Sequence, residues 1–549
     1  MNKNDTVRVK LTDLNNLGCG VGRLEDGRVI FVAGGVTGDT VEAKIIKINS
    51  GYCVGRLMSV TEPSPFRLAE DMCAAPESCG GCAYRHITYE HELELKRAYV
   101  RNAFIKAGLP DVAVGEVLST GKTRGYRNKA QYPVRASKGR LVAGFFASGT
   151  HRVVGDGSCP LQPEVFSEIV AEVLDYAASH SVAAYDEESG GGILRHIYIR
   201  RADGTGEIMV CPVLRCECAA FGKAFAVHLT EKFPDVVSVY VNYNRKNTNV
   251  ITGDEYRLIG GKDHIEDVLC GVRFLITPAS FWQVNHDGAE LLYRVAREKA
   301  ALTGEESLLD LYCGTGSIGL TMADMAKSLT GIEIVHDAVE CARRNAALNG
   351  IENAEFFCGD ASETGGILAR AERESGRRID ADTVILDPPR KGSTPELISY
   401  ISERGIGRVV YVSCNPDTLA RDCAEFIRRG YKLCGEVTPV DMFPRTGHVE
   451  TVCLLESAKN QPHISFTVNM EELPRPTRKS ATYDEIKVYV SEKHGLKVSS
   501  LYIAQIKEKH GLKERENYNI GNGKSKELIC PPEKEQAILD AFKHFGMIK

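Results

Sequence analysis

Short apolar runs rich in β-branched residues alternate with glycine turns through the first 61 residues of the chain. The runs are TVRVKLTDL, GVGRL, RVIFVAG, DTVEAKIIKI and YCVGRLMSV. Each has the length and the alternation of a short strand. Five short strands joined by glycine turns predict a small β-barrel of the oligonucleotide-binding kind at residues 1–61.

The pattern changes twice after this barrel. Residues 62–119 combine a cysteine-rich loop with a helical pattern from His86 to Ala107. Residues 120–262 then carry two helical segments and the strand patterns GRLVAGFFA, HIYIRRA, EIMVCPV and VVSVYVNYN. We therefore predict a connecting helix followed by a central α+β domain.

Buried strands alternate with helices from residue 263 to residue 457. The segments SLLDLYCGTGSIGL, LTGIEIV, VILDPPRKG and YVSCNPDTLARD each contain an apolar strand, and GHVETVCLL adds another. Strands that alternate with helices predict a doubly wound, Rossmann-like sheet. The whole chain is thus predicted to be a multidomain α/β protein.

A small helical module is predicted at residues 475–549. Thr482 and Glu485 form a capping box at the start of TYDEIKVYVSEKH, SSLYIAQIKEKH follows closely, and a last helix begins after Pro531 and Pro532. The close pair resembles a helix-turn-helix with a wing at residues 517–526. Nucleic-acid binding and helical dimerisation or packing both remain open for this module.

Composition narrows the class of protein. The 549 residues are 43% hydrophobic and 26% charged, which is typical of a soluble globular protein. The start MNKNDTVRVK lacks an apolar signal core, and no stretch reaches a membrane-spanning length. Together with 18 cysteines, this predicts a cytoplasmic protein whose thiols stay reduced or bind metal. The net charge of −5 means that any RNA is met by local basic patches.

Three residues at strand ends are candidates for chemistry. Cys414 ends a strand just before a helix, where backbone N–H groups favour a thiolate, the nucleophilic form. Asp387 ends an earlier strand, and Glu450 lies in a later, otherwise apolar one. Glu450 is either a solvent-facing edge residue or a general base whose pKa is raised by partial burial. Three consecutive strands would bring these residues to one rim of the sheet.

A cofactor site is predicted at the glycine-rich turn. Gly314, Gly316 and Gly319 form a G-x-G-x-x-G, and Glu333 ends the next strand, where it can accept hydrogen bonds from a ribose. These residues alone suit either a nicotinamide cofactor or S-adenosylmethionine. Three further acidic residues favour S-adenosylmethionine. They are Asp310 just before the glycine-rich turn, Asp360 in FFCGDA and Asp387 at the start of Asp-Pro-Pro.

Two further patterns precede the sheet. Cys73, Cys79 and Cys82 are spaced C-x5-C-x2-C, and Cys159 is the candidate for a fourth ligand. Zinc with four cysteines and an iron–sulfur cluster both fit this spacing. The segment RGYRNKAQYPV interleaves basic residues with tyrosines, which predicts contact with single-stranded or flipped-out RNA.

These motifs together resemble a known family. FWQVN, LDLYCGTGSIGL, DPPRKG, YVSCNPDTLARD and GHVETV are similar to the motif set of the RNA uracil-5-methyltransferases, in the same order, over about residues 265–457. GVTGDTVEAKI resembles the TRAM domain, an RNA-binding barrel. The cysteine spacing with DGSCPLQ resembles the iron–sulfur branch of the family, which implies a 4Fe–4S cluster held by Cys73, Cys79, Cys82 and Cys159.

The resemblance implies a reaction and its residues. Cys414 would add to C6 of uracil, C5 would take the methyl group, and Glu450 would accept the C5 proton before Cys414 is released. The residues implied around the cofactor and the target base are Gln283, Tyr312, Glu333, Asp360 and Asp387. Ser317 stands where some members of the family have asparagine.

The resemblance also implies a substrate. It favours 5-methyluridine formation in 23S rRNA, since bacterial relatives with both the barrel and the cluster usually modify that RNA; tRNA is the alternative. Two other classes remain open, an adenine or guanine amino methyltransferase and a non-catalytic RNA-binding protein. In the first class an aromatic residue commonly follows Asp-Pro-Pro, whereas Arg390 follows it here. No obligate protein partner and no membrane association are inferred.

Overall fold

The computed structural model describes residues 2–70, 73, 75, 79–155, 158–458, 481–512 and 530–548. The chain divides into two compact units, residues 1–461 and 462–549. None of the helices in these described ranges is both long enough and apolar enough to cross a bilayer.

The first five strands form a closed barrel. They are β1 (Thr6–Leu14), β2 (Cys19–Arg23), β3 (Val29–Ala33), β4 (Thr40–Ile48) and β5 (Tyr52–Glu62). Their order around the barrel is β1-β2-β3-β5-β4. Alternate residues such as Leu11, Ile30 and Val41 fill the interior and are fully buried. The predicted barrel is confirmed.

Helix α1 (Tyr89–Lys106) connects the barrel to the rest of the first unit. Thr88 caps its N-terminus by accepting a hydrogen bond from the backbone N–H of His91. Two charged side chains on this helix, Glu92 and Lys96, are almost fully buried. Buried charges require partners, and these partners lie in a loop beside the functional site described below.

The central region is a six-stranded sheet with two helices. In sheet order its strands are β13 (Glu255–Gly261), β12 (Val236–Tyr243), β11 (Ile208–Leu214), β10 (Leu194–Arg201), β6 (Lys129–Ser137) and β7 (Arg140–Ala143). The other elements are the hairpin of β8 (Phe145–Phe146) and β9 (Val153–Val154), and helices α2 (Glu164–Ser179) and α3 (Lys223–Lys232).

The tyrosines of RGYRNKAQYPV do not face RNA. Tyr126 and Tyr132 are only 1% and 0% exposed, and the Tyr126 hydroxyl donates to the carbonyl of Pro444. The prediction that these two rings belong to an RNA-binding surface is wrong. The alternation of β6 turns Tyr132 into the interior, and Tyr126, which precedes that strand, is buried where its hydroxyl reaches Pro444.

A seven-stranded sheet carries the predicted site. In sheet order its strands are β18 (Ala354–Cys358), β17 (Ser328–Glu333), β16 (Ser307–Leu311), β19 (Thr383–Leu386), β20 (Arg408–Ser413), β22 (Glu450–Ser457) and β21 (Tyr431–Val440). A hairpin of β14 (Ile265–Leu269) and β15 (Val272–Ile276) precedes it. Its helices are α4 (His286–Ala300), α5 (Ser317–Leu320), α6 (His336–Leu348), α7 (Thr364–Ser375), α8 (Pro395–Arg404) and α9 (Pro416–Arg428).

The strands of Asp387, Cys414 and Glu450 are neighbours in the sheet, but the prediction that they are consecutive in the chain is wrong. Strand β21 lies between β20 and β22 in sequence and takes the sheet edge. Strand β22 therefore runs antiparallel to β20, with Ser413 opposite Thr451. This reversal places the beginning of β22 beside the end of β20.

The second unit contains helices α10 (Tyr483–His494), α11 (Ser500–Lys509) and α12 (Pro532–His544). The capping box of Thr482 and Glu485 is confirmed. Ile486, Ile503 and Phe542 form the centre of a separate apolar core. The predicted wing at residues 517–526 lies outside the described residues.

Candidate functional site

A cavity of about 900 Å³ opens at the rim where the parallel strands of the large sheet end. Its volume is within the range that holds a cofactor together with part of a substrate. All seven residues predicted for catalysis or cofactor binding line it: Gln283, Tyr312, Glu333, Asp360, Asp387, Cys414 and Glu450. The candidates from seven separate segments thus meet in one space.

Cys414 directly follows β20, and the side chain of Asn415 caps α9 by accepting from the N–H of Asp417 at 3.2 Å. Burial raises the pKa of the Cys414 thiol to about 11, and the nearby Glu450 and Asp387 add to the increase. Arg390 opposes it. A backbone hydrogen bond lowers the pKa of Cys414, in the direction that the sequence predicts, but burial and two carboxyl groups outweigh it.

Glu450 is the first residue of β22 and is buried in the cavity wall. Burial raises the pKa of its carboxyl to about 8, Asp387 adds to this increase, and Arg390 opposes it. The Asp387 carboxyl has its own pKa raised to about 7 by burial. A carboxyl with a pKa near neutrality can both take and return a proton, which is the property required of a general base.

The glycine-rich turn is shaped by two carboxylates. Asp310 Oδ2 accepts from the N–H of Gly319 at 2.9 Å, and Glu333 Oε2 accepts from the N–H of Gly314 at 3.1 Å. Tyr312 has a φ of 65°, a left-handed conformation that is uncommon for a residue with a side chain. The turn therefore approaches the cavity with its backbone, as a cofactor-binding loop must. Helix α5 after the turn is only four residues long, shorter than a Rossmann-like unit predicts.

Gln283 and Asp360 lie at different parts of the cavity. The Gln283 carbonyl accepts from Asn128 Nδ2 at 3.1 Å, which ties the segment FWQVN to the central domain. Asp360 accepts from the N–H of Ser362 at 2.8 Å, and hydrogen bonds from Ser362 lower the pKa of its carboxyl. Asp360 is thus favoured as an anion, whereas the pKa of the Asp387 carboxyl lies near neutral pH.

Sequence reasoning assigned no role in the cavity to four other lining residues: Arg127, Arg390, Phe443 and His448. Burial lowers the pKa of the His448 imidazole, and the charges of Arg390 and Arg127 lower it further, which favours the neutral ring. Two of these residues could have been found from the sequence, since Arg390 directly follows Asp-Pro-Pro and His448 lies two positions before Glu450. The location of Arg127 in this cavity depends on the tertiary fold.

The four predicted cluster cysteines line a second, smaller cavity of about 60 Å³. Burial raises the pKa of the Cys82 thiol to about 12, and the charges of Cys159, Cys79 and Cys73 contribute, which indicates that the four sulfurs are near one another. In the part of the chain that is described, no group of three or more His, Cys, Asp or Glu residues has the geometry to hold a metal ion.

Comparisons with known proteins agree with this arrangement. Residues 254–458 match the family described as tRNA (Uracil-5-)-methyltransferase, and residues 2–58 match the TRAM domain. An uncharacterized RNA methyltransferase of Bacillus cereus is 42% identical over 82% of this chain and 97% of its own. Another, of Clostridium tetani, is 39% identical over 82% of this chain and 96% of its own.

A solved structure is also similar. The Pyrococcus abyssi tRNA (uracil-54, C5)-methyltransferase in complex with S-adenosyl-L-homocysteine superposes with a TM-score of 0.65 at 27% identity. The match covers 82% of this chain and 100% of the other.

Proposed function

Because the chain belongs to the RNA uracil-5-methyltransferase family and carries a TRAM domain, we propose that it methylates C5 of a uridine in RNA through a covalent bond to Cys414. The observation that carries this proposal is the meeting of Cys414, Glu450 and Asp387 in the cavity that also holds the glycine-rich turn. The family uses S-adenosylmethionine, and the turn with Glu333 is the part of this chain that would hold it. 5-Methyluridine is the product.

Cys414 makes C5 of uracil nucleophilic. Its sulfur forms a bond to C6, and the electron pair of the C5–C6 double bond moves towards the O4 carbonyl to give an enolate. C5 of the enolate then forms a bond to the methyl group that S-adenosylmethionine would supply, and the bond from that methyl group to sulfur breaks, with its electron pair remaining on sulfur. Glu450 removes the remaining C5 proton, the C5–C6 double bond re-forms, and the Cys414 thiolate leaves.

The raised pKa values set a condition on the first step. A thiol with a pKa of about 11 is protonated at neutral pH, so it must release its proton to solvent as the site is assembled. S-adenosylmethionine, when bound, supplies the methyl group and a positive sulfonium charge, which favours the anionic forms of nearby acids. Arg390 acts in the same direction on Cys414 and Glu450.

The target uridine must leave its base stack, because C6 is not accessible to a side chain inside a helix. We propose 23S rRNA as the substrate, met in the cytoplasm, on the basis of the family pattern of barrel and cysteines. tRNA is the second candidate, supported by the activity of the Pyrococcus abyssi protein.

We also propose that Cys73, Cys79, Cys82 and Cys159 hold a 4Fe–4S cluster. Their convergence on one cavity supports this proposal. Each sulfur of such a cluster binds a different iron, so the four sulfurs are held further apart than around one tetrahedral zinc ion. This spacing is compatible with the absence of a single-ion site among the described residues. Because methyl transfer moves no electrons, the cluster would serve structure or RNA binding.

The test uses total RNA from a strain that lacks this protein, incubated with the purified enzyme and methyl-labelled S-adenosylmethionine. The RNA is separated by size and digested to nucleosides. Label in 5-methyluridine from the large ribosomal RNA supports both reaction and substrate. Label in the tRNA band would keep the reaction and move the substrate to the second candidate. Label on an exocyclic amine would exclude the Cys414 mechanism.

A further inference from the structure

Arg127 lies in the wall between the two cavities. It lines the large cavity with Gln283 and His448, and it lines the small cavity with the four cysteines. Among the described residues, it is the one that lines both cavities. A single side chain therefore faces both the predicted cluster site and the predicted substrate site.

The backbone of Arg127 is paired with two segments of the chain, one near each cavity. Its N–H donates to the carbonyl of Leu161 at 2.8 Å, two residues after Cys159. It also pairs as an isolated β-bridge with Asn285, two residues after Gln283. A displacement of the cysteine-bearing segment would therefore move Arg127 relative to the substrate cavity.

The guanidinium of Arg127 is not neutralised by a carboxylate. Among the described residues no Asp or Glu forms an ion pair with it, and its Nε is buried without a hydrogen-bond partner. The Arg127 side chain also hydrogen-bonds the Tyr126 hydroxyl, which carries no charge at neutral pH. Arg445, by contrast, has the Glu92 carboxylate at 3.6 Å. Arg127 thus has a charge without a carboxylate partner and a buried Nε donor that can take an anion.

Two anions fit its two sides. On one side is the small cavity, whose wall Arg127 shares with Cys82 and Cys159. On the other side is the cavity that receives a flipped uridine, which brings its flanking phosphate. A planar guanidinium with five donors can contact both groups at once.

We propose that Arg127 is a positioning residue that neutralises the sulfur cluster on one side and binds a phosphate of the target RNA on the other. The proposal rests on the proposed function and on the proposed cluster. It makes the cluster an indirect determinant of RNA affinity, through one side chain, without any transfer of electrons.

The first test is spectroscopic and independent of methylation. The reduction potential of the cluster is measured in the purified holoenzyme for wild type, Arg127→Gln, Arg127→Lys and the control Arg135→Gln. Loss of a nearby positive charge makes an anionic cluster harder to reduce, so Arg127→Gln should shift the potential to more negative values. Arg127→Lys and Arg135→Gln should remain near wild type. An unchanged potential in Arg127→Gln, or a purified protein that binds no iron, overturns the proposal.

The second test is a double-mutant cycle on RNA affinity. The probe is an unmodified transcript of the RNA that accepts label in the methylation assay, and the variants are Arg127→Gln, Cys79→Ser and the double variant. Each single change should weaken binding about tenfold, and the double variant should be no more than about twofold weaker than either. A hundredfold loss in the double variant would mean independent effects and would overturn the coupling.

The two proposals fail in different ways. If no RNA accepts label, the proposed methylation fails, and the reduction potential alone decides the role of Arg127. If RNA is methylated but Arg127→Gln alters neither the potential nor the RNA affinity, the proposed reaction stands and the role of Arg127 falls. Affinity for S-adenosylhomocysteine should stay unchanged in all of these variants, because Arg127 is placed on the target-base side.

Discussion

Lys96 of α1 donates a hydrogen bond from Nζ to Asp441 Oδ1 at 2.7 Å, although 345 positions separate them in the chain. Both side chains are almost fully buried. Lys96 also donates to Glu92 at 2.7 Å and to the carbonyl of Phe443 at 3.1 Å. This network holds the loop between β21 and β22, which carries Phe443 and His448 into the large cavity and ends at Glu450.

We expect Lys96→Met to reduce both stability and activity. The change removes the lysine that two buried carboxyl groups share, and Glu92 keeps only the more distant Arg445 at 3.6 Å. Removing one partner of a buried pair costs about 3–5 kcal/mol. Urea denaturation should show this loss. The matched control is Arg8→Met, since Arg8 pairs with Glu62 on the barrel surface and such exposed pairs contribute about 0–1 kcal/mol. Equal losses in the two variants would contradict the role of the buried network.

Gly447 provides a second prediction for the same loop. A Cβ atom at this position would lie 1.9 Å from the backbone carbonyl oxygen of Asn16, in the loop between β1 and β2 of the barrel. Gly447→Ala must therefore displace the barrel loop or the loop that leads to Glu450. We expect a loss of about 1–3 kcal/mol in unfolding free energy together with lower activity.

The control for Gly447 is Gly366→Ala. Gly366 lies in α7, and an added Cβ would meet nothing within 4 Å. Because alanine favours a helix interior over glycine, this variant should gain up to about 1 kcal/mol. A neutral Gly447→Ala variant would show that the barrel does not constrain the loop.

The sequence could bring four of the candidate residues to one cavity because each ends or follows a parallel strand, and the carboxyl ends of parallel strands share one rim. Glu333, Asp360, Asp387 and Cys414 all fit this rule. Glu450 does not, since it begins an antiparallel strand whose neighbour β21 carried no recognised pattern. The Lys96–Asp441 contact could not be predicted, because no local pattern marks a buried lysine. The raised pKa of Cys414 depends on burial and on Glu450, and both arise only from the tertiary fold.

The roles of Cys414 and Glu450 can be separated by two variants. Cys414→Ala should abolish methylation and give no covalent complex, because no sulfur can add to C6. Glu450→Gln should methylate once and then stop, since the C5 proton cannot be removed and the Cys414–C6 bond cannot break. The resulting protein–RNA adduct should survive denaturing electrophoresis. Full turnover by Glu450→Gln without an adduct would remove Glu450 from the role of base.

The rate of adduct release should depend on pH through Glu450. Its pKa is raised to about 8, so the carboxyl is protonated and unable to accept the C5 proton well below that pH. Release should therefore slow as the pH falls from 8 towards 6 and level off above the pKa. The bound sulfonium charge moves this midpoint downward before methyl transfer, but it is gone when release occurs.

Reactions are quenched rapidly at set times, and the covalent protein–RNA adduct is measured on denaturing gels. The time course separates adduct formation, which requires the Cys414 thiolate, from adduct release, which requires the Glu450 carboxylate. The fraction of enzyme trapped as adduct at steady state should thus increase at low pH if release slows more than formation. In Glu450→Gln the rate of release should be near zero and independent of pH between 6 and 9. A release rate in wild type that does not change over this range would show that Glu450 is not the group that titrates.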